Sequence, residues 1–542
     1  MRLKTPGGEW NSRAGMGAFV SHGRSAGADH NHHGVRRMSQ VAKKKRVVVI
    51  GAGLGGMSAA ILLARSGFQV TVLEKNAHAG GKLNLLETEG FRFDLGPSIF
   101  TLPQIFRPIF EGEGRKLEDY ITLRRVDPQW RNFFEDGTVL DLWEDQEKMR
   151  AELGRFGAET VRQYEAFLAY SRRQYEVVER GYLRHGLDTF GEFLRFYGWK
   201  DARDLDYLRS MSGSIQRRLS NPYLRDIFEY FIKYVGSSAL DAPAFMNLMP
   251  NIQMEFGLWY VSGGLYELAR AFRRRLEESG AALLPGQEVV RIGQADGVVT
   301  GVQTVDSDGR SGFFAADYVV SNMEVVPAMQ KLLGAPAATM KKLRRFKPSC
   351  SGIVLHLGLN RVYPQLAHHN FFYSRDLHGH FRRVFRDGRL PDDPTLYVVA
   401  PTRTDRSQAP AGCDNIKILP HIPALDERRP TTREDYVALK EICLDKLERM
   451  GLPNLRRHIV VEDFWTPFDI EARYGSNRGS IYGVVCDRRS NFAFKAPKQS
   501  GQFRNLFFVG GSTNPGGGMP MVTLSGQHVA RMIAEQDAKE AQ

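Results

Sequence analysis

Three observations predict an α/β fold with a discontinuous Rossmann-like unit, an inserted α+β domain and a helical region. A β-branched apolar run, Val47 to Ile50, ends in a glycine-rich turn and leads into small and aliphatic residues up to Ser66. The same order of strand, glycine-rich turn and helix returns near the other end, at Leu506 to Glu535. Between them the hydrophobic period changes from helical to alternating. Two such segments at opposite ends of a 542-residue chain are what a second domain threaded through the first produces.

Val47–Ile50, the helix from Met57 to Ser66 and Val70–Leu73 form strand, helix and strand, with Gly67 closing the helix. Apolar residues at helical spacing, from Val161 and Tyr164 onward to Leu183 and again from Leu265 to Leu276, make the middle of the chain mainly helical. Val298–Val305 and Phe313–Val320 alternate around turns at Asp296-Gly297 and Ser307-Asp308-Gly309, so 289–320 reads as antiparallel sheet. Further strands are expected at Gly352–Leu359, Thr395–Ala400 and Ile416–Pro420, and a helix at Thr432–Met450. The division that follows is a basic tail at 1–44, a Rossmann-like unit at 45–110, 256–330 and 496–537, a helical region at 111–255, and a sheet with a helix at 331–495.

Composition excludes several classes. With 42% hydrophobic and 25% charged residues the chain is a folded globular protein. The net charge of +13 is uneven: residues 1–46 hold ten lysines and arginines against Glu9 and Asp29, a balance of +8, which leaves +5 for the rest. A body so nearly balanced offers no groove for a phosphate backbone, and no nucleic-acid partner is expected. Cys350, Cys413, Cys443 and Cys486 are far apart and form no C-x-x-C pair, so neither a metal ribbon nor a disulfide framework is expected. The tail lacks the apolar run of a signal peptide and reads as disordered, with His30, His32 and His33 in it as adventitious metal binders only. Glycines interrupt Val47–Ala64, and no transmembrane helix is assigned.

The first glycine turn carries the chemistry. In Gly51-x-Gly53-x-Gly55-Gly56 the spacing permits a tight turn, a close approach of backbone to a pyrophosphate, and close packing of the helix whose N-terminus faces the phosphates. Glu74, at the end of the second strand, stands where a carboxylate accepts ribose hydroxyls. Lys75 follows it, and a second pair, Gly80-Gly81 with Lys82, lets the chain pass along an extended dinucleotide, which suits FAD better than a nicotinamide cofactor.

From Val47 to Lys82, and on through Phe93-Asp94-Leu95-Gly96-Pro97, the chain resembles the FAD-binding start of the carotenoid desaturase and oxygenase branch of the flavin amine-oxidoreductase superfamily. Leu506–Met521 resembles the carboxy-terminal signature of that family. The resemblance implies that Gly510, Gly511, Gly517, Gly518 and the helix beginning near Met519 and Met521 approach the isoalloxazine and ribityl chain. Val261–Gly264 and Glu288-Val289-Val290 match the family's middle element, which puts Val289 at the adenine. Longer stretches, among them Gln129–Phe134, Tyr230–Ser238, Gln365–Phe372 and Ser476–Gly483, look closest to its triterpenoid carotenoid oxygenases.

What this resemblance implies is FAD-dependent oxidation of the terminal methyl group of an acyclic triterpenoid carotenoid to an aldehyde, with molecular oxygen or a quinone as oxidant. The alternatives are a desaturase introducing double bonds, or a non-catalytic isoprenoid-binding chaperone, against which the intact glycines and Glu74 argue. A hydrophobic carotenoid demands an apolar tunnel, for which the aromatics and methionines from Phe228 to Tyr260 are candidates, and an ordinary aromatic core would use the same residues. His368 and His369 are candidate proton-handling groups, with a structural pair as the rival reading, and Arg478 is a candidate to fix a flavin or substrate carbonyl. Phe190, Phe193, Leu194, Tyr197 and Trp199, flanked by Arg195 and Lys200, form a helical face expected to dip into a bilayer. The expected place is therefore cytoplasmic, with peripheral attachment to the inner face of the cell membrane.

Overall fold

A five-stranded parallel sheet joins the two ends of the chain. In the computed structural model, which describes residues 44–490 and 492–542 without the side chains of 199–203, its order is Leu506–Phe508, Tyr318–Ser321, Arg46–Ile50, Gln69–Glu74, Ala282–Pro285. The basic tail with its histidines, and the side chains of Trp199 and Lys200, lie outside the described residues. Val47 to Ile50 are buried on both faces, as the unbroken β-branched run requires of a central parallel strand. The helix Leu54–Arg65 covers one face and crosses the terminal helix Met519–Glu540 so closely that a Cβ at Gly526 would lie 2.4 Å from the Gly55 carbonyl oxygen. Ser58 Oγ donates to Thr523 O across the same crossing, at 2.8 Å.

The alternating stretch divides differently from its sequence reading. Gln287–Ala295, Val298–Asp306 and Ser311–Ala315 form the expected antiparallel sheet, but Tyr318–Ser321 leaves it and becomes the strand between the two ends of the chain. Its residues are buried throughout, and alternation over 313–320 concealed where one sheet stops and the other begins.

The second large sheet runs Ile459–Trp465, Val354–Leu359, Asp414–Ile422, Leu396–Val399, His369–Phe372, Trp130–Phe133, Val139–Leu142. Two of these strands come from the region read as helical, and Trp130–Phe133 pairs parallel with His369–Phe372. Successive residues point to opposite faces. Phe372, Leu396, Val398 and Ile418 pack beneath the helix Arg433–Met450, whose Thr432 cap and Asp435 form a capping box. Phe371, Tyr373, Tyr397 and Val399 face the helices of the middle region, Ala158–Val178 and Pro222–Tyr230 among them.

The predicted membrane face is split. Phe193 and Tyr197 turn inward, with the Tyr197 hydroxyl donating to Val177 O and receiving from Gly181 N, while Phe190 and Leu194 are exposed. Gly198 departs from helical geometry at φ 63°, so one helical wheel does not describe the segment. Among the described residues no helix is long and apolar enough to cross a membrane.

Candidate active site

The crevice over the parallel sheet is walled by main chain. Gly51 has φ +92°, and the helix that follows starts at Gly53 without a side-chain cap, so its first amides are open to a phosphate. A Cβ at Gly56 would lie 2.2 Å from Gly51 O, and one at Gly53 2.5 Å from Asn322 Nδ2. The second glycine pair touches the first: Gly80 N donates to Ala52 O at 2.9 Å, and a Cβ at Gly81 would come within 3.1 Å of Gly53 Cα.

Glu74 is buried at the end of its strand, with Oε2 accepting from Ala52 N at 2.8 Å and Oε1 from Asn76 N and Nδ2 at 2.9 Å. These bonds fix the carboxylate at the mouth of the turn and leave Oε2 a lone pair for a ribose hydroxyl. Val289 belongs to the apolar cluster that also contains Leu73, next to that carboxylate. Lys75 does not join them: its amine donates to Ala472 O at 2.9 Å and ties down the helix Pro467–Tyr474.

The floor continues through Lys82 and Gly96. Lys82 Nζ donates to Ser480 O and Ile481 O at 3.0 and 2.8 Å and stands 3.7 Å from Glu324. Burial pushes the Lys82 amine down and the Glu324 carboxyl up, and each opposes the other's shift. Gly96, which leads into Pro97, is pressed against Lys82 so tightly that a Cβ would meet its carbonyl oxygen at 1.7 Å, and Gly96 O accepts from Lys417 Nζ at 2.5 Å. Asp94 receives Leu265 N and Tyr266 N at 2.8 and 3.1 Å, at the start of the helix Tyr266–Glu278.

At the carboxy-terminal side, Cβ atoms at Gly511 and Gly517 would lie 2.7 and 2.3 Å from Tyr482 O. Gly510 and Gly518 have φ near +100°, and Gly518 opens the helix of Met519 and Met521, again without a side-chain cap. Two uncapped helix N-termini, two glycine turns in contact and a fixed carboxylate are a set of donors and acceptors that fits an extended dinucleotide such as FAD. Asn322, Glu324 and Tyr482 escaped the sequence reading. Asn322 directly follows a buried strand, as a ligand-facing residue at a strand's carboxyl end does, and that was the available signal.

Beyond the crevice the second sheet contributes an aromatic nest. Trp130 lies 4.2 Å from Phe231 and 4.4 Å from Phe371 between ring centroids, and Phe371 stacks on Tyr397 at 4.9 Å. Tyr230 and Phe231 are wholly buried, and Tyr234 Oη donates to Gln253 Oε1 at 2.7 Å. Within this apolar setting several polar atoms have no hydrogen-bond partner among the described residues: Trp130 Nε1, Gln129 Oε1, Gln253 Nε2 and His369 Nε2.

Lys233 is the least expected member. Its residue is 3% exposed, and its Nζ sits 3.8 Å from the centre of the Tyr397 ring, 4.8 Å from Phe371, 5.1 Å from Tyr234 and 5.4 Å from Trp130. The ring faces favour an ammonium by about 2 kcal/mol, whereas burying an ion costs several kcal/mol. Burial wins, aided by Lys417, and holds the amine well below the usual lysine range. A single charge-bearing residue inside Tyr-Phe-Ile-Lys-Tyr was the sequence signal for it.

The predicted proton-handling residues part ways. His368 and His369 have ring centroids 4.4 Å apart. His369 Nδ1 is paired with the Tyr397 hydroxyl at 2.9 Å, which puts it in the nest, and burial holds it well below the usual histidine range. His368 Nδ1 is paired with Thr404 Oγ1 at 2.7 Å, is pushed down to about 3 by burial, and lines a water-sized cavity of about 20 Å³ with Asp94, Tyr260, His356 and Lys417. Arg478 is in neither place. Its Nε donates to Leu425 O and its Nη2 lies 3.3 Å from Asp426, at 42% side-chain exposure. The turn Asn477–Gly479 puts Arg478 at φ 58° and swings it outward, so it fixes a surface loop and not a carbonyl in the site. A surface groove of about 620 Å³ beside Arg382, Arg383 and Arg386 holds arginines each paired with a carboxylate and is no part of the crevice.

The sequence profile of flavin-containing amine oxidoreductases matches residues 54–534. The chain belongs to that family. It is 56% identical over 490 residues to 4,4'-diapolycopene oxygenase of Methylomonas sp, covering 90% of this chain and 98% of that one. It is 48% identical over 497 residues to 4,4'-diaponeurosporene oxygenase of Staphylococcus aureus, covering 91% and 99%. Among solved structures, an oxidoreductase from Methanosarcina mazei aligns with a TM-score of 0.60 at 16% identity, over 90% of this chain and 100% of that one, which bears on the fold alone. As a member of the family the protein is an FAD-dependent oxidoreductase, and the residues of the crevice described above fit that cofactor and would hold it. When bound, FAD supplies a redox centre able to exchange electrons in pairs.

Proposed function

We propose that this chain oxidises the terminal methyl group of an acyclic thirty-carbon carotenoid, through the alcohol, to an aldehyde. The observation that carries the reading is the 56% identity, over nearly the whole of both chains, to a 4,4'-diapolycopene oxygenase. The nest of Trp130, Phe231, Phe371 and Tyr397 supports it, because a polyene needs an apolar wall and few polar groups near its reacting end. The net change balances with dioxygen: R–CH3 plus O2 gives R–CHO plus water. A quinone is the alternative oxidant, with water then supplying the oxygen atom and two quinones taking the four electrons. In either case the chain's own contribution is to hold the cofactor by main-chain donors, to exclude water with aromatic rings, and to offer His369 Nε2 toward the polar end of the ligand.

The substrate dissolves in lipid, and the reading includes peripheral contact with the inner face of the cell membrane. Phe190, Leu208 and Phe492 are exposed, with the rings of Phe190 and Phe492 5.7 Å apart and Arg488 donating to Leu208 O at 2.6 Å. Aromatic contacts lead inward from this patch, Phe190 to Phe193, Phe193 to Phe494 and Phe494 to Tyr182, whose hydroxyl donates to Asn514 Oδ1 at 2.7 Å beside the carboxy-terminal glycines. Apolar rings flanked by arginine suit an anionic interface.

Feeding 4,4'-diapolycopene in vesicles to the purified holoenzyme under isotopically labelled dioxygen, with products reduced to the alcohol before exchange, tests the reaction. Label in the terminal oxygen supports it with dioxygen as the oxygen donor, unlabelled oxygen shows that water supplies the atom and a quinone or dioxygen takes only electrons, and a product with only new double bonds refutes it. Replacing Phe190 and Phe492 together by serine should lower binding to anionic vesicles ~10-fold or more; unchanged sedimentation with vesicles would remove the membrane patch from the account.

A further inference from the structure

Among the buried groups that neither the cofactor crevice nor the reaction as proposed uses, the Lys233 amine stands apart. It projects from the 3-10 helix Phe231–Val235 into a cage of four aromatic rings, and no hydrogen bond to it is found among the described residues. The groups around it are Tyr397, Tyr234 and Trp130 on the ring side, with His369, His421 and Lys417 in electrostatic reach. None is a carboxylate, so nothing here is arranged to keep an ammonium. The same helix ends at Gly236, where a Cβ would lie 2.3 Å from the Tyr482 ring, and Tyr482 O is the wall that presses on Gly511 and Gly517. The helix that carries the amine therefore packs on the residue that walls the carboxy-terminal side of the cofactor crevice, and His369, whose Nε2 has no hydrogen-bond partner among the described residues, is in electrostatic reach of the amine.

A nest that only had to grip a hydrocarbon would have no use for a buried amine beside an imidazole nitrogen that has no hydrogen-bond partner among the described residues. A ligand whose chain is apolar and whose end bears oxygen would use both. We propose that Lys233 is the binding group for the oxygen-bearing end of the polyene, donating an N–H to the hydroxyl of the once-oxidised substrate and holding that end in place for the second oxidation. The inference rests on the functional reading above and adds to it the residue that commits the reaction to the aldehyde.

The first test compares the flavin-loaded full chain with Lys233→Met, which keeps the apolar stem and removes only an unpartnered amine, on a thirty-carbon acyclic polyene hydrocarbon in phosphatidylcholine vesicles. The alcohol-to-aldehyde ratio of the products should rise at least ~10-fold in the variant. An unchanged ratio overturns the assignment of Lys233 and leaves the functional reading standing, whereas a wild-type chain that leaves the hydrocarbon unoxidised overturns both. The second test needs no turnover. Wild-type protein is incubated with an acyclic polyene aldehyde and cyanoborohydride: the amine nitrogen adds to the carbonyl carbon, water leaves, and hydride reduces the resulting C=N to a secondary amine. The peptide containing Lys233 should gain the mass of the polyene at ~10 times the yield of exposed lysine peptides. The proposal requires both results, and absence of this adduct from wild-type protein overturns it by itself.

Discussion

The two walls of the site are built from different parts of the residue. The parallel sheet meets its ligand with main chain: Gly53, Gly56, Gly81, Gly511 and Gly517 stand where any Cβ would strike a neighbouring atom. The antiparallel sheet would meet the proposed substrate with side chains, Trp130, Phe371 and Tyr397, contributed by three separate strands. A backbone wall tolerates almost no substitution but is indifferent to what reacts, whereas a side-chain wall can be retuned one ring at a time. On the proposed function, cofactor identity accordingly belongs to the first wall and product identity to the second.

The sharpest way to break that contrast is at Gly56. Its Cβ would meet main-chain oxygen and not a movable side chain, so Gly56→Ala should purify with flavin content lowered ~10-fold or more, measured by absorbance after denaturation. Trp130→Ala should do the reverse. Removing a fully buried indole costs about 3–5 kcal/mol of stability, read as a lowered midpoint in denaturant, while the flavin stays bound. Loss of flavin from Trp130→Ala would show that the walls are not separable. Glu74→Gln comes next: exchanging a charged for a neutral acceptor at the ribose costs about 1.5–3 kcal/mol of binding, seen as a 10- to 100-fold weaker FAD titration with the fold retained.

The smallest effect lies behind the nest, on the helix Pro222–Tyr230. Burial, reinforced by Glu229, pushes the Asp226 carboxyl up to about 7. A folded-state value above the unfolded one means that the folded protein binds more protons between about pH 4 and 7, so this group costs stability progressively as pH rises through that window. Asp226→Asn should therefore be more stable than wild type at pH 8, by about 1 kcal/mol after allowance for its partial contact with solvent, with the difference vanishing near pH 4. His378, raised mainly by its 2.6 Å bond to Glu229, runs in the same direction: its contribution is complete below the unfolded histidine value and is lost as pH rises through the folded one.

The same contrast explains what the sequence makes legible. The cradle could be read because each turn is local: Gly51 to Gly56, Glu74 and the run to Gly518 lie in short contiguous stretches whose spacing states the chemistry. Asn322 and Tyr482 reach the same crevice from far away in the chain; the end of a buried strand was the one local signal for Asn322, and no local pattern announces Tyr482. The nest depends on Trp130–Phe133 pairing with His369–Phe372, a long-range register that periodicity does not encode. The aromatics from Phe228 onward were visible as residues but not as a surface, and Lys233 read as one polar letter in an apolar word. Arg478 misled because it stands in the stretch Ser476–Gly483 that resembles the family, while its positive φ sends it to the surface.

The central claim is that a cofactor held by both ends of the chain faces a polyene whose end rests among Trp130, Phe371, Tyr397 and Lys233. A crystal structure of the holoenzyme with a thirty-carbon polyene alcohol tests it most directly. The account predicts the pyrophosphate at the amides following Gly53 and the polyene hydroxyl within hydrogen-bond distance of Lys233 Nζ. A polyene lodged with its oxygen on the far side of the second sheet, or a nest still closed while the ligand lies elsewhere, would contradict it.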